Sequence, residues 1–89
     1  MIARELTINN KSGLHARPAS LWVQAASRFQ SKVRIKRGEA IVDGKSILGI
    51  LSLGLSSGSV IELLVEGDDE AEAALSLEEL MHDLENQDR

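Results

Sequence analysis

The spacing of apolar residues changes repeatedly along this chain, and these changes constrain its fold more than any other feature. In "ELTINN", Leu6 and Ile8 alternate with polar residues, which is the period of a half-buried strand. From Ala16 to about Gln30, apolar residues recur every three or four positions, as on one face of an amphipathic helix. The changes continue downstream and predict the order strand, helix, strand, strand, helix, strand, helix.

The middle of the chain supplies three strands and a short helix. "SKVRIKRG" and "AIVD" are typical of a hairpin with Gly38 at its turn. In "KSILGILSLG", Ser46 and Gly54 are the expected N-cap and stop of a short helix. The segment "VIELLVEG" is the most apolar strand, which predicts a central position in the sheet.

The last segment predicts a third helix followed by a polar tail. Asp69 and Glu72 are spaced as a capping box at its start. The polar residues from about 85 to 89 indicate a frayed end. The apolar stripe of this helix consists of Ala73, Leu77, Leu80, Met81 and Leu84.

A chain of 89 residues has room for one core, because a domain usually takes about 100–200 residues. We therefore expect a single domain over residues 1–89. One sheet with all helices on one side is the economical arrangement. The predicted class is α+β, an open-faced sandwich of a four-stranded, mostly antiparallel sheet and three helices, in the order βαββαβα.

Composition excludes several functional classes. The chain has no cysteine, so neither disulfides nor thiolate metal sites are expected. There is no leader-like start and no apolar run of about 20 residues, which predicts a cytoplasmic protein without membrane insertion. The net charge of −4 and strands without aromatic residues argue against nucleic acid as a partner.

The charges are unevenly distributed. After Lys45 the only basic residue is Arg89, so the first half of the chain is basic and the second half acidic. This separation predicts binding to an acidic protein partner or an anionic group.

The stretch "SGLHARPAS" combines several features of an anion site. Pro18 fits only the first turn of a helix, so the helix begins within a residue or two of His15. Free amides and the helix dipole favour an anion there. Gly13 allows the preceding loop to bend, and Arg17 brings a forked, permanent positive charge to the same place.

A neutral imidazole at such a position can act as a nucleophile toward phosphorus. The product dianion would lie over the helix amides beside Arg17. No base is placed near His15 to activate water, and no carboxylate cluster is placed to hold magnesium. The pattern therefore predicts a residue that carries a phosphoryl group rather than hydrolysing one, with no metal and no cofactor.

Two stretches resemble the signatures of one known family. "GLHARPAS" is similar to the active-site motif of HPr, the histidine-containing phosphocarrier of the bacterial sugar phosphotransferase system. "KSILGILSLG" resembles the second HPr signature, a regulatory serine followed by an apolar helix. The order of strands and helices is also that of HPr, so the resemblance covers essentially the whole chain.

The resemblance implies a role for each matching residue. His15 would be phosphorylated on Nδ1 by enzyme I, which is charged from phosphoenolpyruvate, and would pass the group to sugar-specific enzyme IIA components. Arg17 would stabilise the phosphoryl group. The chain would be a monomeric carrier with a phosphohistidine intermediate, not an independent enzyme. The partner-docking residues would be Ala16, Ala19, Ile47, Leu48 and Leu51.

The resemblance also implies regulation at Ser46. In many HPr relatives an ATP-dependent HPr kinase/phosphorylase phosphorylates the matching serine, and a catabolite-control transcription factor binds the product. Helix capping alone would also explain a serine at this position. Both interpretations remain open from the sequence.

Other functional classes are weaker. A regulatory or nitrogen-branch HPr paralogue, acting mainly through protein–protein interaction, is the main alternative. "DGKS" before a helix is similar to the end of a P-loop, but Glu39 stands where its first glycine belongs. His82, on an acidic helix, is expected to be a surface residue rather than a metal ligand.

Overall fold

The computed structural model describes residues 1–87, and its order of elements confirms the predicted one. The elements are β1 (Ile2–Thr7), α1 (Ala16–Ala26), β2 (Lys32–Arg37), β3 (Ala40–Asp43), α2 (Ile47–Ser52), β4 (Val60–Glu66) and α3 (Glu70–Gln87).

The four strands form one sheet in the order β1-β4-β2-β3, and every neighbouring pair is antiparallel. β4 lies between β1 and β2, which confirms that the most apolar strand is central. Its alternate residues Ile61, Leu63 and Val65 are buried in one core with apolar residues of the helices. Among residues 1–87, no helix lies on the opposite face of the sheet. The α+β open-faced sandwich is therefore confirmed.

The core is almost entirely aliphatic around one large ring. Trp22 of α1 is fully buried, and it lies in the same cluster as Leu77 of α3 and Ile50 of α2. Each such side chain contributes about 1.5–3 kcal/mol when fully buried. Packing against this cluster holds the three helices on one side of the sheet.

The predicted C-terminal end of α1 is wrong by about one turn. The helix ends at Ala26 rather than near Gln30. Tight turns follow, and one of them is closed by a hydrogen bond from the Phe29 amide to the Ala26 carbonyl at 3.2 Å. Lys45 Nζ donates to the Phe29 carbonyl at 2.7 Å. A distant lysine thus satisfies a carbonyl that would otherwise have continued the helix.

Asp69 does not form the predicted capping box with Glu72. Its carboxylate instead accepts hydrogen bonds from the amides of Gln30 and Ser31, both at 2.9 Å, and from the Ser31 hydroxyl. These hydrogen bonds lower the pKa of Asp69 below its ordinary value of 3.8, and the bond from the Ser31 hydroxyl has the largest effect. Asp69 therefore ties the start of α3 to the segment that follows α1.

α3 follows its predicted stripe and runs further than expected. Ala73, Leu77, Met81 and Leu84 are buried and Leu80 is partly buried. The helix continues to Gln87, so residues 85–87 of the predicted tail are helical, and residues 88–89 lie outside the described part. Among residues 1–87, no helix has the length and apolar character to cross a bilayer.

Replacing Asp69 with asparagine should change how stability depends on pH. Because the folded-state pKa of Asp69 is lowered, its carboxylate stabilises the fold above its unfolded pKa, and this contribution is lost as pH falls through the folded pKa. Urea unfolding should show wild type more stable than Asp69→Asn at about pH 6, with the difference shrinking below about pH 4. Asp68→Asn is the matched control, and a difference independent of pH would contradict the assignment.

Candidate functional site

His15 is the N-cap residue of α1, as the sequence predicts. Its backbone is extended (φ −83°, ψ −170°), and its side chain makes no capping hydrogen bond. Its carbonyl accepts the Ala19 amide at 3.0 Å. His15 and Arg17 are both exposed, and within residues 1–87 neither side chain has a hydrogen bond or ion pair. Both groups are therefore available to an external ligand.

The first turn of α1 is electropositive. Its opening amides, on Ala16 and Arg17, have no intrahelical acceptors, and Pro18 has no amide hydrogen to satisfy. The turn contains no acidic residue. An anion bound at His15 would therefore meet free donors, the positive end of the helix dipole and a guanidinium.

The loop before His15 is held by buried polar contacts. The Gly13 amide donates to the Asn10 carbonyl at 3.0 Å, and Asn10 Nδ2 donates back to the Gly13 carbonyl at 2.5 Å. Asn10 is only 2% exposed. Asn10 does not stand out in the sequence, because an asparagine in the polar turn "NNKSG" gives no sign that the fold buries it.

Gly13 packs directly against the chain that follows α2. Its φ is +70°, and a Cβ there would overlap the Leu55 carbonyl oxygen and come within 2.8 Å of Ser56 Cα. The Leu14 amide donates to that same Leu55 carbonyl at 3.0 Å. The segment that directly follows the second stretch thus supports the loop that carries His15.

Ser46 caps α2 as predicted. Its Oγ accepts the Gly49 amide at 3.1 Å, and its backbone is extended. At the other end, the helix stops at Ser52, and Gly54 follows with a φ of +59°. The predicted serine cap and glycine stop are both confirmed.

Four of the five expected docking residues are accessible. Leu48 is 81% exposed, Ile47 38% and Leu51 37%; we call these three side chains the α2 patch. Ala16 is also exposed. The expectation that Ala19 contacts a partner is wrong. Ala19 is 0% exposed, because it points to the core on the same face of α1 as Trp22, so no partner can touch it.

Known proteins match this fold and sequence over most of their length. The family model PTS-HPr, "PTS HPr component phosphorylation site", matches residues 2–83. Phosphocarrier protein HPr of Treponema pallidum is 45% identical over 80 residues, 90% of this chain and 91% of the relative. The crystal structure of HPr-C-His from Thermoanaerobacter tengcongensis has a TM-score of 0.92 and 46% identity, covering 97% of both chains.

The fold and these matches are those of the HPr phosphocarrier family of the phosphotransferase system. The chain belongs to that family. The HPr-like protein Crh of Halalkalibacterium halodurans is also similar, being 46% identical over 77 residues, 86% of this chain and 92% of Crh.

Some relatives are dimers. The crystal structure of an HPr dimer from Thermoanaerobacter tengcongensis is 50% identical, with a TM-score of 0.75, and covers 88% of this chain and 90% of the relative. The monomeric state expected from the sequence therefore stays a prediction.

Two glycine substitutions should separate backbone strain from steric overlap at the site. Gly38 also has a positive φ, +61°, but a Cβ there meets nothing within 4 Å. Gly38→Ala should therefore cost only the strain of a left-handed alanine, about 1–2 kcal/mol. Gly13→Ala should cost clearly more in urea denaturation, because Leu55 and Ser56 must also move. Equal losses would show that the close approach is unimportant.

Proposed function

We propose that this chain carries a phosphoryl group on His15, accepting it from phosphorylated enzyme I and passing it to sugar-specific enzyme IIA components. The observation that supports this most is the exposed His15 imidazole at the start of α1, which has no partner among residues 1–87 and stands two residues from an equally free Arg17.

The transfer needs only the imidazole of this chain as a nucleophile. A ring nitrogen of His15, Nδ1 by the family resemblance, attacks phosphorus with its lone pair. The new N–P bond forms as the bond between phosphorus and the donor atom of enzyme I breaks, and that electron pair returns to the donor. The other ring nitrogen keeps its proton. Delivery to enzyme IIA is the same displacement, with the His15 nitrogen as the leaving group.

The surroundings of His15 stabilise the phosphorylated form. The added dianion lies near the free amides of Ala16 and Arg17, where the helix dipole favours negative charge. The Arg17 guanidinium can donate two parallel hydrogen bonds to phosphate oxygens. No carboxylate of the first turn opposes the new charge.

We assign partner docking to the α2 patch. Ile47, Leu48 and Leu51 present apolar area on a helix that packs beside α1. Large apolar side chains exposed together on a small protein are typical of an interaction site. A patch on the helix next to α1 suits a carrier, because successive donors and acceptors must approach the same imidazole at the start of α1.

We further propose that Ser46 is a phosphorylation site for an HPr kinase/phosphorylase. A phosphate at this N-cap would be favoured by the dipole of α2. It would place a dianion next to Ile47 and Leu48, repelling acidic partners and offering a site to an arginine-bearing surface such as that of a catabolite-control transcription factor.

The second candidate function is that of a regulatory or nitrogen-branch paralogue. The sequence of this chain is as similar to the HPr-like protein Crh as to an HPr phosphocarrier, and this similarity favours the second candidate. The presence of His15 with Arg17 favours a carrier over a purely regulatory protein.

Phosphorylation of His15 is tested with phosphoenolpyruvate, magnesium and enzyme I, followed by intact mass measurement before and after mild acid. We expect one acid-labile phosphate on wild type and none on His15→Ala. Arg17→Gln should slow transfer by about tenfold or more, because a charge-assisted hydrogen bond contributes about 1.5–3 kcal/mol. Labelling of His15→Ala to the wild-type level would contradict the proposal.

Regulation at Ser46 is tested with an HPr kinase from a relative and ATP. We expect an acid-stable phosphate on wild type and on Ser52→Ala, a matched control within α2, and none on Ser46→Ala. Loss of the cap should cost Ser46→Ala about 1 kcal/mol of stability. Labelling by the kinase but not by enzyme I would instead identify a regulatory paralogue.

A further inference from the structure

We propose that Arg37 is a positioning residue for phosphoryl transfer, because its guanidinium fixes the C-terminal end of α2 and thereby the loop that carries His15. Arg37 Nη1 donates to the Leu53 carbonyl at 2.6 Å and to the Gly54 carbonyl at 3.0 Å. This inference rests on the proposed function of His15.

The end of α2 needs such a contact. The helix has six residues and no basic residue in its last turn. The Ile50 and Leu51 carbonyls accept the amides of Leu53 and Gly54, and the carbonyls of Leu53 and Gly54 accept the Arg37 guanidinium just beyond the helix end. A cation at this end also complements the helix dipole. Gly54 adds no packing of its own, since even a Cβ there would meet nothing within 4 Å. Arg37 thus adds a tertiary restraint to a segment otherwise held by its own turn hydrogen bonds and by the packing of Leu53 on the core.

The same segment leads directly to the site. Leu55 comes directly after Leu53 and Gly54, whose carbonyls Arg37 binds. The Leu55 carbonyl accepts the Leu14 amide at 3.0 Å. Gly13 rests against Leu55 and Ser56 with no room for a Cβ. A shift of residues 53–54 therefore moves the surface on which the His15 loop lies. The α2 patch belongs to the same helix and would shift with it.

Arg37 is separable from the core that holds the fold. It is exposed at the end of β2, and its backbone is paired in register with Ala40 of β3, so the strand does not depend on the side chain. Arg34 provides a matched control, because it is an exposed arginine on the same strand and has no side-chain partner within residues 1–87. Its replacement removes the same charge without touching α2.

The experiment compares wild type with Arg37→Gln, Arg37→Lys and Arg34→Gln. Two quantities are measured on each: hydrogen exchange of the Leu14 amide, and kcat/KM for phosphoryl transfer from enzyme I. We expect Arg37→Gln to speed Leu14 exchange and to lower kcat/KM by about tenfold, since small displacements of a reacting group carry large rate penalties. Arg37→Lys should recover most of both, because one ammonium can donate to two carbonyls. Arg34→Gln should match wild type.

Several results would overturn the inference. Transfer by Arg37→Gln at the wild-type rate would do so, as would an equal loss in Arg34→Gln, which would indicate a simple effect of charge on enzyme I. Faster Leu14 exchange that merely follows a lower global stability would indicate a structural role only. If the proposed function itself fails, wild type takes no phosphate on His15. In that case the hydrogen-exchange measurements still show whether Arg37 restrains the Leu14 amide.

Discussion

The packing of Gly13 and Leu14 against Leu55 and Ser56 is the contact on which the arrangement of the site depends. It joins the loop before α1 to the segment after α2, which are about forty residues apart in the chain. Without it, the loop before His15 would be held mainly by its contacts with Asn10, and its position relative to the α2 patch would depend on the packing of α1 against α2 alone. Because Gly13 has no Cβ, the two backbones approach closely enough for the Leu14 amide to bond.

Local patterns predicted the elements well where short-range chemistry decides them. Pro18 set the start of α1 because a proline is tolerated only in the first turn, and Ser46 and Gly54 marked both ends of α2. The failures have a different cause. α1 ends at Ala26 because Lys45 and Asp69 bind the segment that follows, and no local pattern contains these partners.

The candidate site was only partly predictable for the same reason. His15 and Arg17 stand out by residue type and spacing, and the structure leaves both exposed. Asn10 and Leu55 support the loop through contacts that exist only after the sheet and helices assemble. Ala19 could have been excluded from the docking residues beforehand, because it is spaced three residues from Trp22 on the apolar stripe that predicted α1.

The absence of internal partners for the His15 imidazole within residues 1–87 has an energetic consequence. On the proposed function, no contact of the imidazole inside the described fold would have to break when a phosphoryl group arrives or re-form when it leaves. The group-transfer potential of the phosphorylated form would then be set by the contacts of the phosphate itself, with Arg17 and the first amides of α1. A stronger grip on the phosphate would make the carrier easier to charge and slower to discharge.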